Sequence, residues 1–165
     1  MGLDARVYCD CIETGYLLVP HPFPDRLSIA SDGGPDFQSD DLDELLAHDA
    51  WLYGSPCRHE ACGLVSHWLG NIALVAGIRF AVQRLSSEPE CEYPVLWSQI
   101  IYSGTHCGDY LTPPEVSELE TKIGRLRTCD FGRLDVEDAE YLRQFLAKLD
   151  DLIQASRMAH KPIVF

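Results

Sequence analysis

The sequence predicts one α+β domain over residues 1–165, in which a small antiparallel N-terminal sheet packs against a buried central helix and a C-terminal helical hairpin. Three patterns predict this fold. Apolar and polar residues alternate over 3–11, an almost wholly apolar stretch covers 71–85, and two amphipathic stretches follow Thr112. An apolar content of 46% and a charged content of 24% are typical of a globular chain.

The N-terminal sheet is predicted from short strand patterns and turn residues. The alternation over 3–11 indicates a half-buried strand, and 16–19 and 27–30 indicate two more. Residues 32–34, Asp-Gly-Gly, are typical of a hairpin turn, with Phe37 on the returning strand. We therefore expect consecutive strands to pair with one another near the N-terminus.

Helices are expected from residue 41 onwards. Ser39 or Asp40 is a candidate cap for a helix over about 41–52, because short polar side chains satisfy the free amides of a first turn. The stretch 71–85 is apolar on nearly every side and predicts a central helix. Residues 64–69 fit a strand or a helix lead-in, and 94–102 fit either a helix or a strand.

The C-terminal third carries the clearest local signal in the chain. Thr112-Pro-Pro-Glu115 is a capping box, in which the cap and the third helical residue satisfy each other's backbone amides. A second helix is expected to begin at Asp135 and to pack on the first as a hairpin. The apolar residues of 160–165 predict an edge strand or a segment docked on the core.

Acidic residues are concentrated at the N-terminal end. Eleven of the 26 acidic side chains lie in the first 50 residues, beside only Arg6 and Arg26. Such a negative surface repels nucleic acid and attracts basic proteins. We therefore expect a partner-binding surface. Its residues are Asp36, Asp40, Asp41, Asp43, Glu44, Asp49, Trp51 and Tyr53, with His106 and Asp109 as further candidates.

The acidic stretch has two other interpretations. Carboxylates in the first turn of a helix stabilise its positive end, so part of the acidity has a structural purpose. Calcium binding is disfavoured, because the spacing from Asp36 to Glu44 does not fit the twelve-residue loop of an EF-hand.

The seven cysteines are odd in number and irregular in spacing, which favours free thiols over a disulfide framework. Core packing of Cys9 and Cys11 is favoured over a thiolate metal pair. Cys57, His59 and Cys62 have suitable donor atoms, but a zinc site of this kind needs a second ligand pair. Cys91 or His106 remained possible ligands to complete it in space. We expect no metal and no cofactor.

The segment 103–109 provides an alternative function. Cys107 or Ser103 could act as a nucleophile with His106 and Asp109, which would make the protein a small thiol-dependent or metal-dependent hydrolase, with Cys57, His59 or Cys62 nearby. Adjacent loop residues point in different directions, and no nucleophile elbow is present. A structural glycine turn is therefore favoured over a catalytic site.

The start MGLD before a strand, and YSGTHCGDYL before a capped helix, resemble small stand-alone bacterial proteins, some of which are similar to toxin-neutralising immunity proteins. The resemblance transfers no functional residues. It implies a non-enzymatic cytoplasmic inhibitor that blocks the basic surface of a toxin, with a nuclease toxin favoured. The opening residues lack a secretory pattern and no apolar run approaches a membrane span, which agrees with that expectation. The oligomeric state stays open.

Overall fold

The longest strand pairing joins the N-terminal strand to the middle of the chain. In a computed structural model that describes residues 2–102, 106 and 108–165, strand β1 (Gly2–Tyr8) pairs antiparallel with β4 (Gly63–Asn71). Two short strands from later in the chain, β5 (Tyr110–Leu111) and β6 (Ile163–Val164), complete a sheet of order β4-β1-β6-β5.

A long segment leaves the sheet after β1 and returns at β4. Because Tyr8 lies opposite Gly63, both ends of this 9–62 segment emerge at the same end of the β1–β4 ladder. The segment contains its own two-stranded hairpin and two helices. Its elements are α1 (Cys11–Thr14), β2 (Leu27–Ile29), β3 (Pro35–Phe37) and α2 (Leu42–Tyr53).

The second half of the chain is mainly helical. Three of the four α-helices that the structure describes after β4 are long, with 14, 15 and 24 residues, and a π-helical turn covers Leu96–Ile100. The helices are α3 (Ile72–Leu85), α4 (Pro89–Glu92), α5 (Pro113–Arg127) and α6 (Val136–Ala159).

The main core lies between the sheet and helices α3, α5 and α6. The alternating residues Leu3, Ala5 and Val7 of β1 all face it. Helix α6 is amphipathic, and Phe145 and Leu149 on its inner face are inaccessible to solvent. Replacing a buried leucine of this kind by alanine typically costs about 2–5 kcal/mol, so this core accounts for much of the fold's stability.

The predicted α+β class is confirmed. The hairpin over 27–37 and the α5–α6 pair also form as expected. Consecutive N-terminal strands pair only in the β2–β3 hairpin, because β1 pairs instead with strands from distant parts of the chain, and 16–19 is not a strand. Tail strand β6 lies between β1 and β5 and is not an edge strand.

Several element boundaries also differ from the predictions. Strand β1 ends at Tyr8 rather than at residue 11, because Asp10 (φ −97°, ψ 13°) begins a helical turn. The cap of α2 is Asp41, whose carboxylate accepts from the Asp43 amide at 2.8 Å, rather than Ser39 or Asp40. Residues 64–69 fall within β4, and most of 94–102 forms the π-helical turn.

Helix α3 is less central than its composition suggests. One face, including Val75, Ile78 and Val82, packs in the main core, whereas Ile72 and Phe80 on other faces are 77% and 64% exposed. Helix α6, with nine buried residues, is the most enclosed helix. Among the residues described, no helix combines the length and apolar character needed to cross a membrane.

Candidate functional site

The acidic residues of the 9–62 segment lie mostly at the surface, around α2. Asp40, Asp43 and Asp49 are exposed, and in the described part of the chain none of them pairs with a cation. Asp41 is also exposed and caps the helix. Asp36 is half-buried on β3 and accepts from the Ser28 hydroxyl at 3.3 Å, so it contributes less to the surface.

Glu44 differs from its acidic neighbours because it has a cationic partner. Its Oε2 atom lies 2.6 Å from Nη1 of Arg26, and the same carboxylate accepts from the Ser39 hydroxyl. The hydrogen bond from Ser39, followed by those from Arg26, lowers the pKa of Glu44. Arg26 is the only arginine or lysine between Arg6 and Arg58, and in the described part of the chain the other carboxylates of α2, Asp43 and Asp49, have no cationic partner.

Helix α2 turns apolar side chains outwards as well as acidic ones. Leu42, Leu46 and Tyr53 are 68%, 56% and 73% exposed. Their spacing along the helix places them on one face, and Asp49 falls between them on that face. We refer to these four residues as the α2 stripe. An apolar stripe interrupted and flanked by carboxylates combines the two features of a protein-binding surface, an apolar centre and a charged rim.

Trp51 does not belong to this surface, which corrects its predicted role as an exposed anchor. It is 6% exposed, its indole Nε1 donates to the carbonyl of Val19 at 2.9 Å, and its ring packs edge-on against His21. The helical spacing explains the difference, because Trp51 lies on the opposite side of α2 from Tyr53. Of the two predicted aromatic anchors, only Tyr53 is available to a partner.

His106 and Asp109 contact elements other than α2. The Nε2 atom of His106 lies 3.0 Å from the carbonyl oxygen of Ile100 and donates to it, while Nδ1 lies 3.2 Å from Oδ2 of Asp109 without hydrogen-bond alignment. The same carboxylate accepts from the Tyr102 hydroxyl at 2.8 Å, and the Asp109 carbonyl accepts from the Phe165 amide. These contacts attach the segment to the C-terminal residue, as a structural turn would.

The hydrolase alternative depends on a nucleophile in this segment. Ser103 and Cys107, the two candidates, lie outside the described residues. Cys57 and His59, which were expected to supplement that site, belong to a different cluster. The described residues therefore add no support to catalysis by 103–109.

Three thiols and an imidazole converge at the base of the 9–62 segment. The donor atoms of Cys9, Cys11, Cys57 and His59 all lie within 4.8 Å of one another, and we refer to these residues as the thiol–imidazole cluster. The sulfur atoms of Cys9 and Cys57 are 3.7 Å apart. Nδ1 of His59 lies 3.5 Å from the sulfur of Cys11 and 3.8 Å from that of Cys57.

Three backbone elements position these side chains. Cys9 follows β1, and the helical turn that begins at Asp10 positions the side chain of Cys11 next to that of Cys9. Cys57 and His59 lie in the connection from α2 to β4. The Cys9 amide donates to the carbonyl of Cys62 at 2.8 Å, which extends the β1–β4 pairing by one bond and holds the two sides of the cluster together.

The protonated thiols are strongly favoured in this environment. Burial raises the pKa of Cys57 to about 11 and also raises the pKa of Cys11. The pKa of Cys9 is raised by its hydrogen bond with Cys62 and then by burial. Three neutral thiols beside an imidazole are chemically inert as nucleophiles, because the thiolate is the reactive form. Sulfur and imidazole donors of this kind coordinate soft cations, which replace the thiol protons on binding.

The cluster bears on the expected packing of Cys9 and Cys11. Both side chains are buried in a small core as expected, and their sulfur atoms also lie beside the donor atoms of Cys57 and His59. Cys62, Cys91 and His106, the other candidates, are not among the four residues. The sequence signal that could have found the cluster is the repetition of a ligand pair at the same spacing, Cys-x-Cys and Cys-x-His.

Comparisons with known proteins leave this geometry as the basis for functional inference. No protein-family model, curated protein or solved structure matches the chain.

Proposed function

We propose that this chain is a non-enzymatic inhibitor that binds a basic protein through the α2 stripe and its surrounding carboxylates. The specific form of the proposal is an immunity-type protein of the bacterial cytoplasm that neutralises a toxin, with a nuclease toxin favoured. The observation that carries it is the exposure of Leu42, Leu46 and Tyr53 on one face of a helix on which Asp43 and Asp49 have no cationic partner among the described residues.

The apolar residues of the stripe would supply most of the binding free energy. A leucine or tyrosine that is exposed in the free protein and buried in a complex stabilises that complex by removing apolar surface from water. Tyr53 is especially suited to this, because aromatic side chains are enriched among the residues that dominate interfaces. Their position on a single helix means that a partner needs only one groove to bury all three.

The carboxylates would determine which partner binds and how fast. Asp40, Asp43 and Asp49 surround or interrupt the stripe, so a neutral or acidic partner would bury unpaired charge. A basic partner pairs with them instead, and its approach is accelerated by the attraction. A nuclease active site that holds a phosphate backbone has such a basic surface, which is why a nuclease toxin is the favoured target.

The test compares two variants with the same change in net charge. The first reverses Asp40, Asp43 and Asp49 to lysine and keeps Asp41, because Asp41 caps α2. The matched control reverses Glu88, Glu92 and Glu118, exposed acidic residues of other elements. Tagged wild-type protein and both variants are used to capture proteins from the host lysate, and the captured protein is then purified and its association rate is measured.

We expect wild-type protein and the control to capture one basic protein and to inhibit its activity. The α2 variant should associate with it at least about tenfold more slowly, because opposite charges on interfaces raise association rates by this order or more. Capture of the same protein with equal rates by both variants, or a captured protein whose activity is unchanged on binding, would refute the proposal.

The apolar contribution is tested at high salt, where charge attraction is screened. Leu46→Ser with Tyr53→Ser should weaken binding of the captured protein about 30-fold or more, as expected for residues at the centre of an interface. The matched control is Ile72→Ser with Phe80→Ser, which are exposed apolar residues of α3. An equal loss of affinity in both double variants would mean that α2 is not the binding surface.

A further inference from the structure

The 9–62 segment has little apolar core of its own. Strands β2 and β3 have three residues each, and α2 buries only His48 and Trp51. The buried residues of the small core at the base of the segment are one tryptophan and four cysteines, and other apolar side chains, such as Ile12 and Leu52, are only partly buried against them: the buried set is Trp51, Cys9, Cys11, Cys57 and Cys62. Modules with so little buried apolar surface usually depend on disulfides or a structural metal for stability.

The separations within the thiol–imidazole cluster match those of a tetrahedral metal site. Zinc bonds of about 2.3 Å to sulfur and about 2.0 Å to nitrogen, at tetrahedral angles, place two sulfurs about 3.8 Å apart and a sulfur and a nitrogen about 3.5 Å apart. The observed separations are 3.7 Å between Cys9 and Cys57 and 3.5 Å between Cys11 and His59. The third separation in the cluster, between Cys57 and His59, is 3.8 Å, and every other pair of donor atoms lies within 4.8 Å.

We propose that Cys9, Cys11, Cys57 and His59 form a structural zinc site that fastens the 9–62 segment to the end of the β1–β4 ladder. The set of three thiolates and one imidazole is a standard composition of structural zinc sites. All four coordination positions are taken by protein, so the site leaves no position for a substrate. This inference goes beyond the proposed inhibitor function and does not depend on any partner.

Zinc coordination by these residues requires no oxidant or reductant. Three thiol protons pass to solvent as three Zn–S bonds form, and Nδ1 of His59 donates its lone pair in a fourth bond. The site then carries a net charge of −1. The amide of His59 points at the sulfur of Cys57 at 3.4 Å, and such a hydrogen bond to a ligand sulfur is a usual support of a metal site.

Two alternatives fit the cluster less well. A disulfide would involve only two of the thiols. It would not explain why the third thiol and the imidazole of His59 lie within 4.8 Å of them. Calcium and magnesium prefer oxygen ligands, and none of the four donors is an oxygen.

The backbone of Ala61 and Cys62 is left-handed (φ 45° and 58°), a conformation that costs free energy and persists where neighbouring contacts enforce it.

The first experiment measures metal content. The full chain, with any affinity tag removed, is purified under a non-thiol reductant and its metals are quantified. We expect one zinc ion per chain in wild-type protein and close to none in Cys9→Ser, Cys11→Ser, Cys57→Ser and His59→Ala. Cys91→Ser, an exposed cysteine outside the cluster, and Cys62→Ala, a buried one beside it, are the matched controls and should retain zinc.

A second measurement does not require the variants to fold. Wild-type protein is stripped with a chelator and titrated with Co²⁺, whose spectrum should show intense tetrahedral bands in the visible and thiolate charge transfer, saturating at one ion per chain. Zinc should then displace the cobalt. Stoichiometric iron, zinc retained in the ligand variants, or a wild-type chain that binds neither zinc nor cobalt with its thiols reduced would overturn the proposal.

Hydrogen exchange gives the structural readout. Removal of zinc should raise exchange throughout 9–62 and leave α5 and α6 protected, because these helices belong to the main core. Restoring zinc should restore the protection. Unchanged exchange in 9–62 after complete removal of bound zinc would contradict the fastening role.

Discussion

The Nε2 atom of His21 lies 3.0 Å from Nδ1 of His48, in a buried contact between the connection after α1 and helix α2. Nδ1 of His21 accepts from the Phe23 amide at 3.0 Å, so the proton of neutral His21 resides on Nε2 and is donated to His48. Phe37 and Trp51 pack around the pair. The neutral form of His21 is therefore part of what holds α2 against the rest of the 9–62 segment.

This arrangement predicts that stability falls as the solution becomes acidic. Burial, together with the nearby His48, lowers the pKa of His21. The unfolded chain then binds a proton near its ordinary pKa of about 6.5 while the folded chain does not. The contribution of neutral His21 to the free energy of unfolding is fully present above that pH and is lost as the pH falls below it. Urea unfolding should therefore give a lower free energy of unfolding at about pH 5.5 than at about pH 7.5.

The His21→Phe variant tests the origin of this loss. The free energy of unfolding of this variant should depend less on pH over the same interval, because its residue 21 does not titrate. His160→Asn is the matched control, since His160 is exposed and asparagine tolerates its left-handed backbone. An equal pH dependence in wild-type and His21→Phe protein would show that His21 is not the group responsible.

A second contact attaches the C-terminal segment to the 9–62 segment. The ammonium group of Lys161 is buried, pairs with the carboxylate of Glu13 and donates to the carbonyl of Gly33 at 3.3 Å. Glu13→Gln should destabilise the protein by about 1–3 kcal/mol, because it removes the counter-charge of a buried cation. Lys161→Met should cost less, since it removes the buried charge itself.

Urea unfolding of both variants measures this difference. The matched control is Glu140→Gln, which breaks a pair with Arg143 in which both side chains are more than half exposed. That change should cost less than about 1 kcal/mol. A Glu13→Gln variant as stable as Glu140→Gln would show that the buried lysine does not need its partner.

The start of α5 supports a third prediction. The carboxylate of Glu115 accepts from the Thr112 amide at 2.8 Å and from the Thr112 hydroxyl at 2.6 Å, so the predicted capping box is present. Glu115→Ala should cost about 1 kcal/mol at neutral pH. Glu118→Ala, on an exposed part of the same helix, is the control and should cost little.

The stabilisation by Glu115 should also depend on pH. The hydrogen bonds from Thr112, with a further one from Gln99, lower the pKa of Glu115. Its contribution is present above the unfolded pKa of about 4.3 and is lost as the pH falls through the lower folded value. The stability difference between wild-type and Glu115→Ala protein should therefore shrink on acidification, and a constant difference would contradict this.

Arg79 supports a fourth prediction. Its guanidinium lies 3.8 Å from the ring centroid of Trp97 and donates to the Ile101 carbonyl at 3.0 Å. Arg79→Lys should destabilise the protein by about 1 kcal/mol, because an ammonium group cannot stack and donate in the same geometry. Arg125→Lys at an exposed site is the control. An equal change in the midpoint of thermal unfolding, Tm, in both variants would show that stacking of Arg79 on Trp97 does not stabilise the protein.

The sequence by itself determined the fold class and several local elements. Capping chemistry at Thr112 and Asp135, the Asp-Gly-Gly turn and the amphipathic periods of α5 and α6 act over a few residues, so they can be recognised without knowledge of the fold. The concentration of acidic residues around α2 was visible for the same reason, since composition does not depend on the fold.

Only the tertiary structure decided which strands pair, which face of α2 meets solvent and which cysteines meet. Trp51 and Tyr53 are two residues apart, yet the orientation of α2 against His21 buries one and exposes the other. Cys9 and Cys57 come together because β1 pairs with β4, a contact between distant parts of the chain. The Cys-x-Cys and Cys-x-His spacings indicate candidate ligands, but local patterns do not specify which distant segments pair, because long-range pairing is selected by burial of the whole core.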